Sequence, residues 1–110
     1  MSSVETVRAL AMAMPEAVEA DHHGFPSARV RGKIFCTYRH TPARLMVKLD
    51  PEDQRNLCEG YGDLLTPVAG YWGRKGSTLV DVERVDDGFL ATLLRLAWSN
   101  VAPRSLKAAA

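Results

Sequence analysis

The stretch that decides the fold is AVEADHHGFPSARVRGKIFCTYRHTPARLMVKL, residues 17–49. Val18 and Ala20 alternate with Glu19 and Asp21, and Ala28 and Val30 alternate with Arg29 and Arg31. Successive side chains on a strand point to opposite faces, so each run reads as a strand with one buried and one wet side. Arg31-Gly32 reads as a tight turn into a third strand over 33–38, because glycine tolerates the positive φ of such turns. A loop at 40–43 leads to a fourth strand over 44–49. No helical segment separates these strands, which predicts an antiparallel meander.

Helical patterns flank the meander. Ser2 and Glu5 stand at capping-box spacing, and Val4, Val7, Leu10, Ala11 and Met14 then recur on one face until Pro15 interrupts the ladder. After the meander, Asp50 is placed to cap a helix that starts on Pro51, with Glu52 and Asp53 at the positive end of its dipole. Gly60 is expected as its left-handed terminator, and Leu57 and Cys58 face inward. Leu64-Leu65 suggests a brief strand, 67–76 a glycine-rich loop, and 77–82 another strand. Asp86 caps a final helix whose Phe89, Leu90, Leu93, Leu94, Ala97, Trp98 and Val101 repeat at three and four, and Pro103 ends it. Residues 104–110 read as a frayed tail. The whole predicts one α+β domain over 1–103: an antiparallel sheet with N- and C-terminal helices packed on one face, plus a short helix after the meander.

The chain has 110 residues, 46% hydrophobic and 25% charged, which suits one folded domain rather than a disordered segment. A chain this size buries roughly 65% of the surface its unfolded form exposes, enough for a core without staples. Cys36 and Cys58 match no metal-ligand spacing and read as buried, reduced thiols. No run reaches the ~18 apolar residues of a membrane span, and no signal-peptide pattern opens the chain. A cytoplasmic, monomeric protein is the expectation.

The net charge of +1 hides a segregation. Between Asp21 and Asp50 there is no acidic residue, while Arg29, Arg31, Lys33, Arg39, Arg44 and Lys48 all lie in that interval. Strand alternation places Arg29 with Arg31, Lys33 with Arg39, and Arg44 with Lys48. If the three phases coincide, six cations line one sheet face, a surface that suits phosphate backbones through counterion release. The plainer alternative is a solvated face on which Lys and Arg discourage edge pairing.

A second candidate is Tyr71-Trp72-Gly73-Arg74-Lys75-Gly76-Ser77. Its glycines would let backbone N–H groups approach a phosphate, Arg74 and Lys75 add charge, and Tyr71 or Trp72 offers a ring for a base. The spacing fails the phosphate-loop pattern, and the loop runs into a strand rather than between the two helices of a KH clamp. Its plainer alternative is a turn with Trp72 plugging the edge of the core. His22 and His23, adjacent on a strand, would point to opposite faces, so with Asp21 and His40 they make no specified metal site. Ser27, Ser77 and Cys36 have no visible basic partner, so neither a catalytic constellation nor a cofactor is expected.

Gly24-Phe25-Pro26-Ser27, Arg31-Gly32-Lys33-Ile34-Phe35, Val47-Lys48-Leu49-Asp50-Pro51-Glu52, Tyr71-Trp72-Gly73 with Gly76, residues 78–81 and Val101-Ala102-Pro103 follow one another as in the MmcQ/YjbR family, which the chain resembles over nearly its whole length. The resemblance implies a fold similar to the bacterial frataxin CyaY, and DNA binding through a double-wing arrangement of hairpins. It brings no catalytic residues. Glu16, Glu19 and Asp21 are only a thin echo of a frataxin acidic ridge. Non-specific binding of DNA through phosphates is therefore the leading expectation, with an acidic protein partner, or a small anion or substrate at the glycine-rich loop, as alternatives.

Overall fold

Six strands make one antiparallel sheet in the computed structural model, which describes residues 2–109. In chain order the strands are β1 (Ala17–His22), β2 (Phe25–Val30), β3 (Lys33–Arg39), β4 (Arg44–Lys48), β5 (Leu65–Pro67) and β6 (Ser77–Val80). They lie side by side as β1-β2-β3-β4-β6-β5, so the meander is extended by β6 and closed by the short edge strand β5. Two hairpin turns put both central residues in the left-handed region: His23 and Gly24 at φ 53° and 88°, Arg31 and Gly32 at φ 51° and 82°. Such turns match the twist of the strands they join.

The helices are α1 (Val4–Met12), α2 (Pro51–Gly60), α3 (Tyr71–Arg74), α4 (Asp87–Val101) and α5 (Arg104–Ala109). Helix α4 crosses β3 and β4, and α1 packs beside it against β1 to β3. Leu90, Leu93, Leu94, Ala97 and Trp98 of α4 and Val4, Val7 and Ala11 of α1 are buried against Ala28, Val30, Cys36, Tyr38, Leu45, Val47 and Val80 of the sheet. The Trp98 indole N–H, carried into this core, donates to the Pro15 carbonyl at 3.0 Å. Asp86 caps α4 through Phe89 N–H at 2.7 Å, and Asp50 caps α2 through Glu52 N–H at 3.0 Å, with Pro51 in its first turn.

Four local expectations are corrected. Helix α1 is capped by Ser3, whose hydroxyl accepts from Thr6 N–H, while the Ser2 hydroxyl instead donates to Asp87 across to α4. Gly60 stays inside α2, which ends at Tyr61 with φ −133°, so no left-handed terminator is used. The segment expected to be all loop contains α3. Residues 104–109 are helical, with Leu106 packed on the core and the Leu106 and Lys107 N–H groups donating to Pro103 O.

A polar network sits where α1 meets the sheet. The Tyr38 hydroxyl donates to the Glu19 carboxylate, and Arg8 Nε donates to the same oxygen at 2.9 Å. The Tyr38 hydrogen bond, with Arg8, holds the Glu19 carboxyl below the usual carboxylate range. Burial, together with that carboxylate, pushes the phenol up.

Candidate functional site

Helices α1 and α4 pack against β3 and β4 on one side, and the other side of the sheet is open except where Trp72 of α3 stands over Lys48. Residues paired across an antiparallel ladder share a face, so the register assigns the open-face positions. One row runs Ala20, Ser27, Thr37, Met46, Leu79 and Thr66. Arg39 and Arg44 are paired and lie two residues from Thr37 and Met46, hence on the same face. Lys48, paired with Ser77, lies two residues beyond Met46 on the other side. Arg29 is in phase with Ser27. None of these positions carries a carboxylate, and among the described residues none of these four cations has an acidic partner within 4 Å.

Each cation is held differently. Arg29 runs along its strand, donating to Ser27 Oγ at 3.0 Å and to the Asp21 carbonyl at 2.8 Å. Arg39 donates to the Pro42 carbonyl at 3.1 Å, with its guanidinium 5.6 Å from the centroid of the exposed Phe25 ring. Lys48 Nζ lies 5.3 Å from the centroid of Trp72, and Arg44 is exposed. Cations over aromatic rings gain from the ring quadrupole, which orients both partners without cancelling the charge.

Two of the six expected cations are not on this face. At Phe35 and Cys36 a β-bulge shifts the register, so that Ala28 pairs with Cys36 but Arg29 with Ile34. Both bulged side chains are fully buried in the core. The alternation of β3 is thereby inverted upstream of the bulge: Ile34 turns to the open face, and Lys33, paired with core-facing Val30, leaves in the opposite phase. Arg31 sits in the turn and forms a two-pronged ion pair with Glu16 at 2.8 and 3.0 Å. Its guanidinium is the main cause of the lowered pKa of Glu16.

The face bears a groove of about 390 Å³, lined by Ile34, Thr37, Met46, Val68 and Trp72, with Arg44, Lys48, His22 and His23 around it. Its apolar floor comes from the bulge (Ile34), from β4 (Met46) and from the β5–α3 connection (Val68), with Trp72 of α3 as a wall. Trp72 is 58% exposed on α3, so it is no plug in the core. The two imidazoles stand 4.5 Å apart on the groove side by side, because His23 leaves the strand at positive φ instead of pointing to the far face. No third ligand joins them among the described residues.

The glycine-rich segment serves packing. A Cβ on Gly73 would stand 1.6 Å from Val68 O, and one on Gly76 1.8 Å from Leu49 O. The N–H groups of Arg74, Lys75 and Gly76 donate to carbonyls of Gly70, Tyr71, Trp72 and Gly73. Buried Gln54 of α2 fastens the segment, its amide donating to Gly73 O at 2.9 Å, Ser77 O at 3.2 Å and Thr78 Oγ1 at 3.1 Å. The N–H groups of Arg74, Lys75 and Gly76 are engaged internally, which removes them from the expected backbone cradle for a phosphate. Arg74 at the end of α3 and Lys75 just after it are exposed but do not line the groove, and Lys75 Nζ lies 5.5 Å from the centroid of Tyr71.

With this geometry in place, comparison with known proteins is informative. The family model YjbR matches residues 12–100, from the end of α1 to the end of α4. The chain belongs to the YjbR family. The crystal structure of Deinococcus radiodurans protein DR2400, with domain DUF419, superposes with a TM-score of 0.80 at 21% identity, covering 96% of this chain and 82% of that one. That likeness confirms the fold. No curated protein matches.

In this YjbR-family chain, the expectation that Arg29, Arg39, Arg44 and Lys48 share one sheet face agrees with the strand register, while the apolar floor between them and Trp72 was missed. Ile34, Met46 and Val68 look like core residues in a one-dimensional pattern. The only signal for the floor was the adjacent apolar run Ile34-Phe35-Cys36, whose three members cannot share one face of a regular strand. Among the described residues, no helix is long and apolar enough to cross a membrane.

Proposed function

We propose that this protein binds nucleic acid, DNA in the first instance, through the open face of its sheet, gripping phosphates with little sequence preference. The observation that carries this reading is the carboxylate-free cluster of Arg29, Arg39, Arg44 and Lys48 on one uncovered surface. Arg44 and Lys48 are four residues apart on one strand, roughly 13 Å, and neighbouring strands add about 5 Å each across the face. Such a patch meets several consecutive phosphates of a strand. With net charge only +1, long-range attraction is small and the local field does the recruiting. Exposed Phe25 and Trp72 beside Arg39 and Lys48 give the face aromatic as well as ionic character.

The test is charge reversal by location. Replacing Arg39, Arg44 and Lys48 with glutamate removes DNA binding in a fluorescence-anisotropy titration at low salt. The same reversal at Arg31 and Lys33, which lie off the face, leaves the affinity within about twofold. Equal loss from the triple and from the pair, or no binding by the wild type, would count against the reading. A partner retained after nuclease treatment, and lost with the first set alone, would move it to an acidic protein surface.

A further inference from the structure

The groove and its aromatic wall suit a part of nucleic acid that phosphate contacts alone do not use. We infer that the groove takes one unpaired nucleobase, laid on the apolar floor against Trp72 with the phosphates on either side of it at Arg44 and at Lys48, and that the face therefore selects single-stranded over duplex nucleic acid. The inference rests on the nucleic-acid reading and goes beyond it by naming the strand state.

Three observations carry it. First, a volume of about 390 Å³ is in the range of small-molecule sites, whereas a bare phosphate-binding surface needs no depth. Second, the floor of Ile34, Met46 and Val68 offers nothing to a phosphodiester, which asks for N–H or O–H donors, but it does suit the flat apolar surface of a base. Third, the indole of Trp72 is 58% exposed and Lys48 Nζ lies 5.3 Å from its ring centroid, so a stacking ring and a cation stand together. Every base has a π-face, so stacking of this kind is tolerant of sequence, and that face is accessible only when the base is out of the duplex stack. Charge complementarity fixes the orientation of the occupant: the cations Arg44 and Lys48 line the groove, and no carboxylate does.

The experiment compares a short oligothymidine, a duplex of equal length and thymidine monophosphate by anisotropy and by intrinsic tryptophan fluorescence at low salt. The single strand is expected to bind at least about tenfold tighter than the duplex and to quench the fluorescence. Trp98 is buried, so the quench belongs to Trp72 and disappears in Trp72→Phe. Trp72→Ala lowers single-strand affinity about tenfold, the loss of one stacking platform, and narrows the gap between single strand and duplex. Equal affinity for the two forms with no quench overturns the inference and leaves the phosphate reading standing. Absence of binding to either form defeats both. A mononucleotide that binds as tightly as the oligomer overturns the inference in favour of a free nucleotide.

Discussion

Replacing Gly76 with alanine separates a packing role for the glycine-rich segment from a ligand-binding one. Gly76 has φ +113°, and an added Cβ would stand 1.8 Å from Leu49 O and 3.0 Å from Leu49 C. Both contacts are with backbone, and the Gly76 carbonyl accepts from Leu49 N–H at 3.1 Å and from the Thr78 hydroxyl at 2.9 Å. The two segments cannot separate without breaking the bond from Leu49 N–H. A non-glycine residue at such a φ costs about 1–3 kcal/mol, and the overpacking adds about 1–3 kcal/mol. The expected loss of about 2–6 kcal/mol is a large share of the 5–15 kcal/mol typical of a domain. With a urea m-value near 1.5 kcal/mol/M, the midpoint falls by about 1.3–4 M. Gly24→Ala is the control. Its φ is +88° but an added Cβ meets nothing within 4 Å, so only the conformational cost remains and the midpoint falls by about 1 M. Urea titration followed by far-UV circular dichroism reads both. If Gly76→Ala were no worse than Gly24→Ala yet lost nucleic-acid binding, the packing account of this segment would be refuted.

Further outcomes follow from the same geometry. Gln54→Ala leaves Gly73 O and Ser77 O without their side-chain donor, costing about 2 kcal/mol in urea unfolding. Leu93→Ala, in the fully buried stripe of α4, costs about 2–5 kcal/mol by the same titration. The Glu19 carboxyl titrates below its unfolded value, so its contribution is full above the ordinary carboxylate pKa and is lost as pH falls through the lowered one; Tyr38→Phe flattens the acid limb of stability against pH, and an unchanged limb would contradict this. Burial pushes the Cys36 thiol up to about 12, so a thiol reagent near neutral pH labels half-buried Cys58 in the native protein and reaches Cys36 only after unfolding.

Much of this architecture was legible in the chain, and the exceptions share a physical cause. Period-two alternation located β1 to β4, and Asp50-Pro51 and Asp86 marked the starts of α2 and α4, because each signal is local. The bulge at Phe35 and Cys36 is also local in effect but nonlocal in origin: the ladder to β2 and the helical layer, not β3 itself, decide that two successive residues both turn inward. That one residue of shift removed Lys33 from the expected patch and supplied Ile34 to the groove. Arg31 was lost for a similar reason, since Glu16, fifteen residues earlier, claims its guanidinium. Gly73 and Gly76 looked like a loop free to meet a phosphate, and the backbones that crowd them, at Val68 and Leu49, are visible only in three dimensions.

Uncancelled cations that grip phosphates from the open sheet face release counterions on binding, so affinity falls with salt in proportion to their number. Four phosphate contacts predict a slope of log K against log salt of about −3 for a single strand, reduced by about 0.7 for each of Arg29, Arg39, Arg44 and Lys48 replaced by a neutral residue. A flat salt response, or a slope that moves equally when Arg31 or Lys33 is neutralised, would contradict it.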